Sequence, residues 1–280
     1  MTRPGSPFDS VLTELRYYAG LRVTTGLPSL DRLTVSTALP SLWVAGADPG
    51  SWTSRVPAEL ARDIASNAIG QGRRVVMVSG RDSQANVYAD LMARPFGVGP
   101  EELVAPERAT AIHAAERLSA SAPPVAVIGL DDAIEESLTE HLHEGGPIDM
   151  LVIEDVGILA STLRRWLARF AETFAGLPLR AQLRAFSRVR RLTALVSLRD
   201  EMDGSLDRWS RSADVTLRVS ASSAMGADVD SMVKLGVTSA VGTGRLHLVR
   251  TMYGYRETTD PGTDPSATRD PGETGEGVGG

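Results

Sequence analysis

The stretch Leu42–Ser54, LWVAGADPGSWTS, joins an apolar strand to a turn rich in glycine, aspartate and proline. The apolar-rich segment Ala58–Ile69 that follows has the pattern of a helix. A strand, a Gly-rich turn and a helix in this order form a phosphate-binding loop, because backbone N–H groups at the helix start can face an anion. The standard loop continues with a lysine, and none follows here, since the chain has a single lysine, Lys234. The stretch therefore predicts a nucleotide-binding architecture without its usual charge.

A second group of candidate residues lies where a predicted strand, Asp149–Asp155, ends in the two carboxylates Glu154 and Asp155. Carboxylate oxygens are ligands that Mg²⁺ prefers in proteins. Paired carboxylates at a strand end also serve simply as hydrogen-bond acceptors. Glu154 and Asp155 are therefore candidate magnesium ligands, and the hydrogen-bonding interpretation stays open beside this one.

A third group is a run of arginines between residues 164 and 191, in which Glu172 is the only acid. Arginines at three- and four-residue spacing share one face of a helix. Such a face could contact the phosphates of DNA or RNA, dock an acidic partner such as this chain's own tail, or simply be solvated. The loop Arg199–Arg211 would join a DNA-binding face. The candidate residues of this nucleic-acid or partner face are Arg180, Arg184, Arg188, Arg191, Arg208 and Arg211.

Composition narrows the class of protein. With 280 residues and a net charge of −6, the chain can bury a full core and is not a globally basic nucleic-acid binder. The absence of cysteine excludes disulfides and fits a reducing compartment. No apolar run is long enough to span a membrane, and the first ten residues do not resemble a secretory signal. We therefore expect a cytoplasmic protein without a membrane partner.

The elements that would position these residues alternate between strand and helix. Apolar and β-branched runs predict strands at Leu42–Ala45, Arg74–Ser79, Val125–Leu130, Asp149–Asp155, Thr193–Leu198, Asp214–Val219 and, at the sheet edge, Gly244–Tyr253. Periodic apolar residues predict helices from Pro28, and at Ala58–Gln71, Ser83–Ala93, Ala133–Leu142, Ser161–Phe174 and Arg180–Leu192. This alternation predicts an α/β domain with a doubly wound, mostly parallel sheet and helices on both faces.

Ligands of doubly wound sheets bind at the carboxyl ends of the strands. In this chain those ends are residues 46–54, 80–82, 154–155 and 198–200. We therefore expect the loop and the acidic pair to lie close together in space.

The two ends of the chain differ from this alternating pattern. Residues 1–22 form an N-terminal segment with a short amphipathic helix predicted at Val11–Ala19. The main domain is predicted to span residues 23–256. Residues 257–280 consist largely of Thr, Asp, Pro, Gly and Glu. Because such a segment cannot bury enough apolar surface to offset its ordering entropy, we predict a disordered acidic tail.

Residues 25–34, TGLPSLDRLT, resemble the T-G-x-x-x-L-D-x-x-T motif in the RecA-like domain of replicative DNA helicases of the DnaB type. IDMLVIEDVGIL is similar to the Walker B strand of that family, and RSADVTLRV to its D-A-D-V block. Four further segments resemble family blocks in the expected order: RRVVMVSGRDSQANVYADLMA, VAVIGLDD, RLTALVSLRD and VKLGVTSAVGTGRLHL. The resemblance covers residues 23–256 and implies a RecA-like domain with the P-loop NTPase fold.

The nucleotide loop departs from the family pattern at the positions that carry chemistry. Aligned on Pro49, the resemblance places the family's second glycine at Trp52, its lysine at Thr53 and its Ser/Thr at Ser54. Trp52 cannot cheaply adopt positive φ, and Thr53 cannot replace a charged contact of roughly 1.5–3 kcal/mol. Asp48 adds a negative charge where a triphosphate would lie. The degenerate loop comprises Gly46, Asp48, Pro49, Gly50, Trp52, Thr53 and Ser54.

Other functional positions of the family are also replaced. The resemblance places the catalytic glutamate at Arg81, the polar sensor at Leu198 and the intersubunit arginine at Gly236. The Walker B aspartate becomes Glu154, which could still bind Mg²⁺. No residue is therefore assigned a catalytic role.

These departures imply a noncatalytic pseudo-ATPase that acts as an assembly, regulatory or nucleic-acid-associated subunit. Its partner would be another protein or further copies of itself in a ring or filament, and we expect neither a cofactor nor enzymatic activity. One alternative is an active ATP-dependent DNA motor with a non-standard loop. In that case Arg81 or Arg55 would compensate phosphate charge, and Glu154 and Asp155 would hold Mg²⁺ beside ATP. A further alternative is a nucleic-acid-binding module that does not use ATP.

Overall fold

The computed structural model describes residues 23–34, 40–48, 52–96, 125–130, 132–144, 147–199, 206–221, 232–251 and 254–258. The predicted helix Val11–Ala19, the loop residues Pro49 and Gly50, and the tail beyond Thr258 lie outside these ranges. Within them, no helix has both the length and the apolar character needed to cross a membrane.

The described residues contain one nine-stranded sheet. Its strands are β1 (Ser41–Ala47), β2 (Val75–Ser79), β3 (Ala126–Ile128), β4 (Met150–Glu154), β5 (Thr193–Ser197), β6 (Val215–Ala221), β7 (Met232–Ser239), β8 (Gly242–Thr251) and β9 (Gly254–Thr258). Their order across the sheet is β3-β2-β4-β5-β1-β6-β7-β8-β9. Neighbours from β3 to β6 pair in parallel, and those from β6 to β9 pair antiparallel. The predicted mostly parallel α/β sheet is therefore confirmed.

Seven α-helices are described. They are α1 (Pro28–Leu33), α2 (Val56–Gly70), α3 (Gln84–Phe96), α4 (Ile134–Thr139), α5 (Val156–Phe170), α6 (Leu179–Arg190) and α7 (Leu206–Ser210). A 3-10 turn at Trp52–Arg55 leads into α2, and a π-helical turn at Glu140–Glu144 continues α4. Helix α5 begins directly after the acidic pair, five residues before the predicted start at Ser161.

Helices cover both faces of the parallel part of the sheet. Trp43 and Ala45 of β1 belong to a core cluster that includes the inner face of α2. Leu42 and Val44 point to the opposite side, into a cluster with α5 and α6. Because strands buried on both faces need apolar residues at successive positions, they appear in the sequence as continuous apolar runs.

The antiparallel part of the sheet corrects the sequence-based prediction. The last predicted strand, Gly244–Tyr253, was placed at the sheet edge, and this is wrong, because β8 pairs with β7 on one side and β9 on the other. β9 begins at Gly254, whose φ of +117° is accessible to glycine. β9 is therefore the edge strand, and β7, β9 and α7 have no counterpart among the predicted elements.

Glu257 was predicted to begin the tail, but it is part of β9. Its Oε1 accepts hydrogen bonds from the backbone N–H groups of Ser29 at 2.7 Å and Leu30 at 3.3 Å. These N–H groups lie in the first turn of α1, where they have no partner within the helix and where a negative charge is favourable. The contact joins the last described strand to the first described helix.

Replacing Glu257 with alanine should lower the free energy of unfolding by about 1 kcal/mol, as the loss of a helix N-terminal acceptor generally does. Urea denaturation of the full chain measures this value. Glu172→Ala, at an exposed position in the 3-10 turn after α5, is the matched control and should change it by less than about 0.5 kcal/mol. Equal effects of the two substitutions would show that the contact with α1 contributes nothing.

Candidate functional site

One arginine on α2 binds three carboxylates near the carboxyl edge of the sheet. Nε of Arg62 donates to Oε1 of Glu154 at 2.5 Å, and its Nη2 donates to Oε2 at 2.8 Å. Nη1 donates to Oδ2 of Asp90 at 3.1 Å, and Nη2 also donates to Asp82. We call Arg62, Asp82, Asp90 and Glu154 the arginine cluster. Both carboxylate oxygens of Glu154 are engaged within it.

Separate elements supply the members of the arginine cluster. Glu154 is the last residue of β4, Asp82 follows β2, and Asp90 lies on α3. Ser79 ends β2, and its Oγ accepts the backbone N–H of Asp82 at 3.1 Å, which holds the turn that presents this carboxylate. Arg62 comes from the middle of α2. The cluster therefore forms only when the sheet and both helices have assembled.

The arginine cluster is largely withdrawn from water. The side chain of Glu154 is 1% exposed and that of Arg62 is 13% exposed. Burial lowers the pKa of Arg62, but hydrogen bonds to Glu154 and Asp82 and the charge of Asp90 outweigh burial, so the net effect raises this pKa. Arg62 therefore stays charged and provides Glu154 with a permanent counter-ion.

Asp155 follows Glu154 in the chain but has different surroundings. Its backbone is left-handed, with φ 48° and ψ 55°, directly before α5. Its N–H donates to Oγ of Ser197 at 3.1 Å, whereas its buried Oδ2 has no hydrogen-bond partner among the described residues. Burial raises the pKa of Asp155, and the charges of Arg199 and Arg81 oppose the rise. The two carboxylates therefore do not form an equivalent pair.

This geometry bears on the predicted magnesium ligands, Glu154 and Asp155. The guanidinium of Arg62 already binds both carboxylate oxygens of Glu154. In the described part of the chain, no group of three or more His, Asp or Glu residues is arranged to hold a metal ion. The donor set therefore fits a structural ion pair better than a magnesium site.

The start of the predicted nucleotide loop is tied to β6. Gly46 lies inside β1, where an added Cβ would approach the side chain of Leu206 to 3.0 Å. Asp48 donates its N–H to the carbonyl of Val219 at 2.9 Å, and its carboxylate accepts a hydrogen bond from Arg218 at 3.1 Å. Asp48, predicted to repel a triphosphate, is therefore paired with a strand arginine that the sequence analysis missed.

The following loop residues lead into α2. Trp52 and Thr53 lie in the 3-10 turn, and their side chains are outside the described part of the structure. Ser54 is half-buried, and Arg55 is exposed at the start of the helix. The roles predicted for Trp52, Thr53 and Ser54 therefore stay predictions.

The role considered for Arg81 and Arg55, compensation of phosphate charge in an active ATP-dependent motor, stays a prediction. Arg81 and Arg55, named as candidates, are both exposed. Leu198, at the sensor position, is 5% exposed and donates its N–H to the carbonyl of Ala45 at 2.8 Å, so it is a core residue. Arg62 was missed. The available signal was an arginine within a largely apolar helix that follows a loop without lysine.

The arginines predicted to share one face make different contacts in the structure. Arg184 and Arg188 both reach Oδ1 of Asp214, at 2.5 and 3.6 Å. Helix α6 ends at Arg190, and Arg191 adopts a left-handed conformation with φ 54°, so Arg191 does not continue the helical face as predicted.

The remaining arginines of that predicted face also divide. Arg180 is half-buried, whereas Arg208 and Arg211 are exposed. Arg211 and Arg184 line one open cavity beside β6, β7 and β8, and Arg180 and Arg208 do not line it. The structure thus brings together only part of the predicted set.

Comparison with solved structures identifies the fold. The ATPase domain of G40P matches with a TM-score of 0.59 at 12% identity, over 92% of this chain and 100% of that chain. A DnaB-like replicative helicase, solved to show its interactions with primase, matches with a TM-score of 0.55 at 12% identity, over 91% of this chain and 67% of that chain. The chain therefore has the RecA-like fold of a DnaB-type helicase ATPase domain. No protein-family model and no curated protein sequence matches it.

Replacing Arg62 with methionine should lower the free energy of unfolding by about 3–5 kcal/mol at neutral pH, because it leaves the charge of Glu154 buried without a partner. Chemical denaturation measures the change.

The matched control is Arg165→Met. Arg165 is 59% exposed and binds Glu135 at 2.8 Å, and an exposed pair of this kind contributes only about 0–1 kcal/mol. If both variants lost the same small amount of stability, Arg62 would not be the counter-ion described here.

Proposed function

We propose that this protein is a noncatalytic RecA-like subunit, a pseudo-ATPase that acts in the assembly or regulation of a larger complex. The observation that carries the proposal is the engagement of both oxygens of Glu154 by Arg62. Glu154 stands at the end of β4, in the segment that resembles the Walker B strand.

Phosphoryl transfer depends on positioning and on compensation of phosphate charge. A P-loop site obtains compensation from a loop lysine and from Mg²⁺ held near the Walker B carboxylate. In this chain the loop has no lysine, and the carboxylate is bound by a guanidinium that cannot lose its proton in a protein. Arg62 therefore stabilises this edge of the sheet without nucleotide or metal.

The start of the loop supports the same proposal. The side chain of Arg218 pairs with Asp48 at 3.1 Å and also with Asp207. Burial lowers the pKa of Arg218, but the hydrogen bonds to these two carboxylates outweigh it and raise the pKa. Arg218 is thus committed to carboxylates of the protein rather than to a phosphate.

An assembly role is the function that this arrangement supports best. A domain that keeps the fold while binding its own acidic groups internally retains surfaces for association but has little means for hydrolysis. The partner would be a different protein or further copies of this chain in a ring or filament. The DnaB-like helicase matched above was solved with its interactions with primase, and contact with another protein is the type of role proposed for this chain.

Calorimetric titration with millimolar ATP and Mg²⁺ tests the pseudo-ATPase proposal. We expect no binding heat and no shift of the melting temperature, for the chain and for Glu154→Gln alike. Micromolar binding with Mg²⁺-dependent turnover that Glu154→Gln abolishes would contradict the proposal and support the ATP-driven motor.

Sedimentation velocity over a hundredfold range of protein concentration tests self-assembly. A ring or filament predicts a sedimentation coefficient that rises with concentration, because association follows mass action. A constant monomer value would exclude self-assembly over that range and direct the assembly proposal to a different protein partner.

A further inference from the structure

An open cavity of about 780 Å³ lies away from the arginine cluster, between α6, the turn after α7 and one face of β6, β7 and β8. Four arginines line it: Arg184 on α6, Arg211 in the turn after α7, Arg218 on β6 and Arg245 on β8. We call this the basic cavity. Its arginines come from four separate parts of the chain, so the fold itself concentrates positive charge there.

The floor of the basic cavity is formed by β6, β7 and β8, and their register determines which residues face it. Gly236 of β7 stands directly between Arg218 and Arg245 in the antiparallel ladder. Its neighbours Leu235 and Val237 point into the core on the other side of the sheet. The nearest atoms to a Cβ added at Gly236 would be main-chain O and Cβ of Arg218, at 3.6 and 3.7 Å. The missing side chain therefore leaves open space between two arginines that are two strand spacings, about 10 Å, apart.

The basic cavity has more positive charge than its own acids neutralise. Asp214 is the only acid among its lining residues, and it already binds Arg184 at 2.5 Å and the N–H of Leu42 at 2.9 Å. Arg218 is paired with Asp48 and Asp207, which do not line the cavity, so the charges left without a carboxylate are those of Arg211 and Arg245. Arg211 and Arg245 are exposed and form no ion pair within the described part of the chain. The Nε of Arg184 is buried without a hydrogen-bond partner there. An anionic ligand would supply the missing acceptors.

We propose that the basic cavity binds the acidic C-terminal segment of the same chain, residues 259–280. This segment has five acids and one arginine. The described chain ends at Thr258, which pairs with His247 of β8. β9 runs antiparallel to β8. A chain that continues beyond Thr258 in the direction of β9 therefore heads toward Arg245, which precedes His247 by two residues in β8. The segment thus starts beside the cavity.

Length and spacing also fit this occupant. Twenty-two residues can extend to roughly 70 Å, and the cavity centre is only two or three strand spacings, about 10–15 Å, from β9. Asp270, Glu273 and Glu276 recur at every third residue. In an extended polyproline II chain such residues share one face about 9 Å apart, so more than one of them can face the cavity at the same time. Pro271 lies within this stretch and favours that conformation.

Attachment to β9 makes the contact effective although exposed ion pairs are individually weak. A short flexible tether holds a segment at an effective concentration of the order of millimolar. Several acids that contact the same basic cavity each add to the free energy of binding. Docked in this way, the segment would cover the basic cavity against other polyanions.

The absence of cysteine allows a direct test in the full chain, because two introduced cysteines are then the only labelling sites. Spin labels at Ala240→Cys, on the rim of the cavity, and Thr274→Cys, in the acidic segment, report their separation by pulsed electron resonance. We expect a short-distance population at low salt. The added substitutions Arg211→Gln and Arg245→Gln should remove most of it, and both residues are exposed, so the fold should tolerate the changes.

The matched control replaces two other exposed arginines, Arg165→Gln and Arg169→Gln, which bind Glu135 on α4. This change removes the same charge and should leave the short-distance population intact. A distance distribution that is broad in all variants, or equally short in all, would overturn the proposal. Loss of the short population after dilution with excess unlabelled chain would show binding between copies and overturn the intramolecular assignment.

A second experiment tests whether a nucleic acid, instead of the acidic segment, occupies the basic cavity. The probe is a fluorescent single-stranded oligothymidylate, titrated into the chain and into the variant Asp270→Asn/Glu273→Gln/Glu276→Gln. The proposal would be overturned if the chain and this variant bound the oligonucleotide equally and if Arg211→Gln/Arg245→Gln abolished that binding. The cavity would then be assigned to nucleic acid. Stronger binding by the variant, or no binding by either protein, is the result expected from an occupied cavity.

Discussion

The buried pair of Arg62 and Glu154 is the interaction on which this domain depends most. Moving two charges out of water is costly unless their geometry is good and their remaining hydrogen bonds are satisfied. The side-on contact, together with Asp82 and Asp90, satisfies the guanidinium from three sides. The same contacts set the position of α2 against β4, the turn after β2, and α3. The guanidinium of Arg62 thus stabilises the edge of the sheet at which doubly wound folds bind their ligands.

The parallel half of the fold could be predicted from the sequence because its strands are buried on both sides. Runs such as residues 150–153 and 194–197 leave little choice of structure, and the helices between them show clear periodicity. The antiparallel half gives a weaker signal. In β7 buried and partly exposed residues alternate around Gly236, and β9 contains Arg256 and Glu257, so neither resembles a core strand. Glu257 resembles a tail residue until its hydrogen bonds to α1 are known.

The sequence predicts where the candidate site lies in the fold, but it does not predict which side chains pair within it. The sequence places Glu154 and residues 80–82 at neighbouring strand ends, and Asp82 does join Glu154 around one group. The partners themselves come from far along the chain: Arg62 is 92 residues from Glu154, and Arg218 is 170 residues from Asp48. Spacing within a segment carries no information about such contacts. It does carry information within a helix, since Arg184 and Arg188 share a face and reach the same carboxylate.

We infer that Arg62, rather than a metal ion or a nucleotide, is the partner of Glu154 in the folded protein. The most direct measurement is the NMR signal of the Nε–H group of Arg62 in chain labelled with ¹⁵N-arginine, assigned through an Arg62→Lys variant. We expect a separate, slowly exchanging signal that is unchanged when Mg²⁺ and ATP are added at millimolar concentration. A signal that exchanges rapidly with water, or that shifts on adding Mg²⁺ and ATP, would show that the pair of Arg62 and Glu154 opens to admit a ligand, and Arg62 would then not be the permanent partner of Glu154.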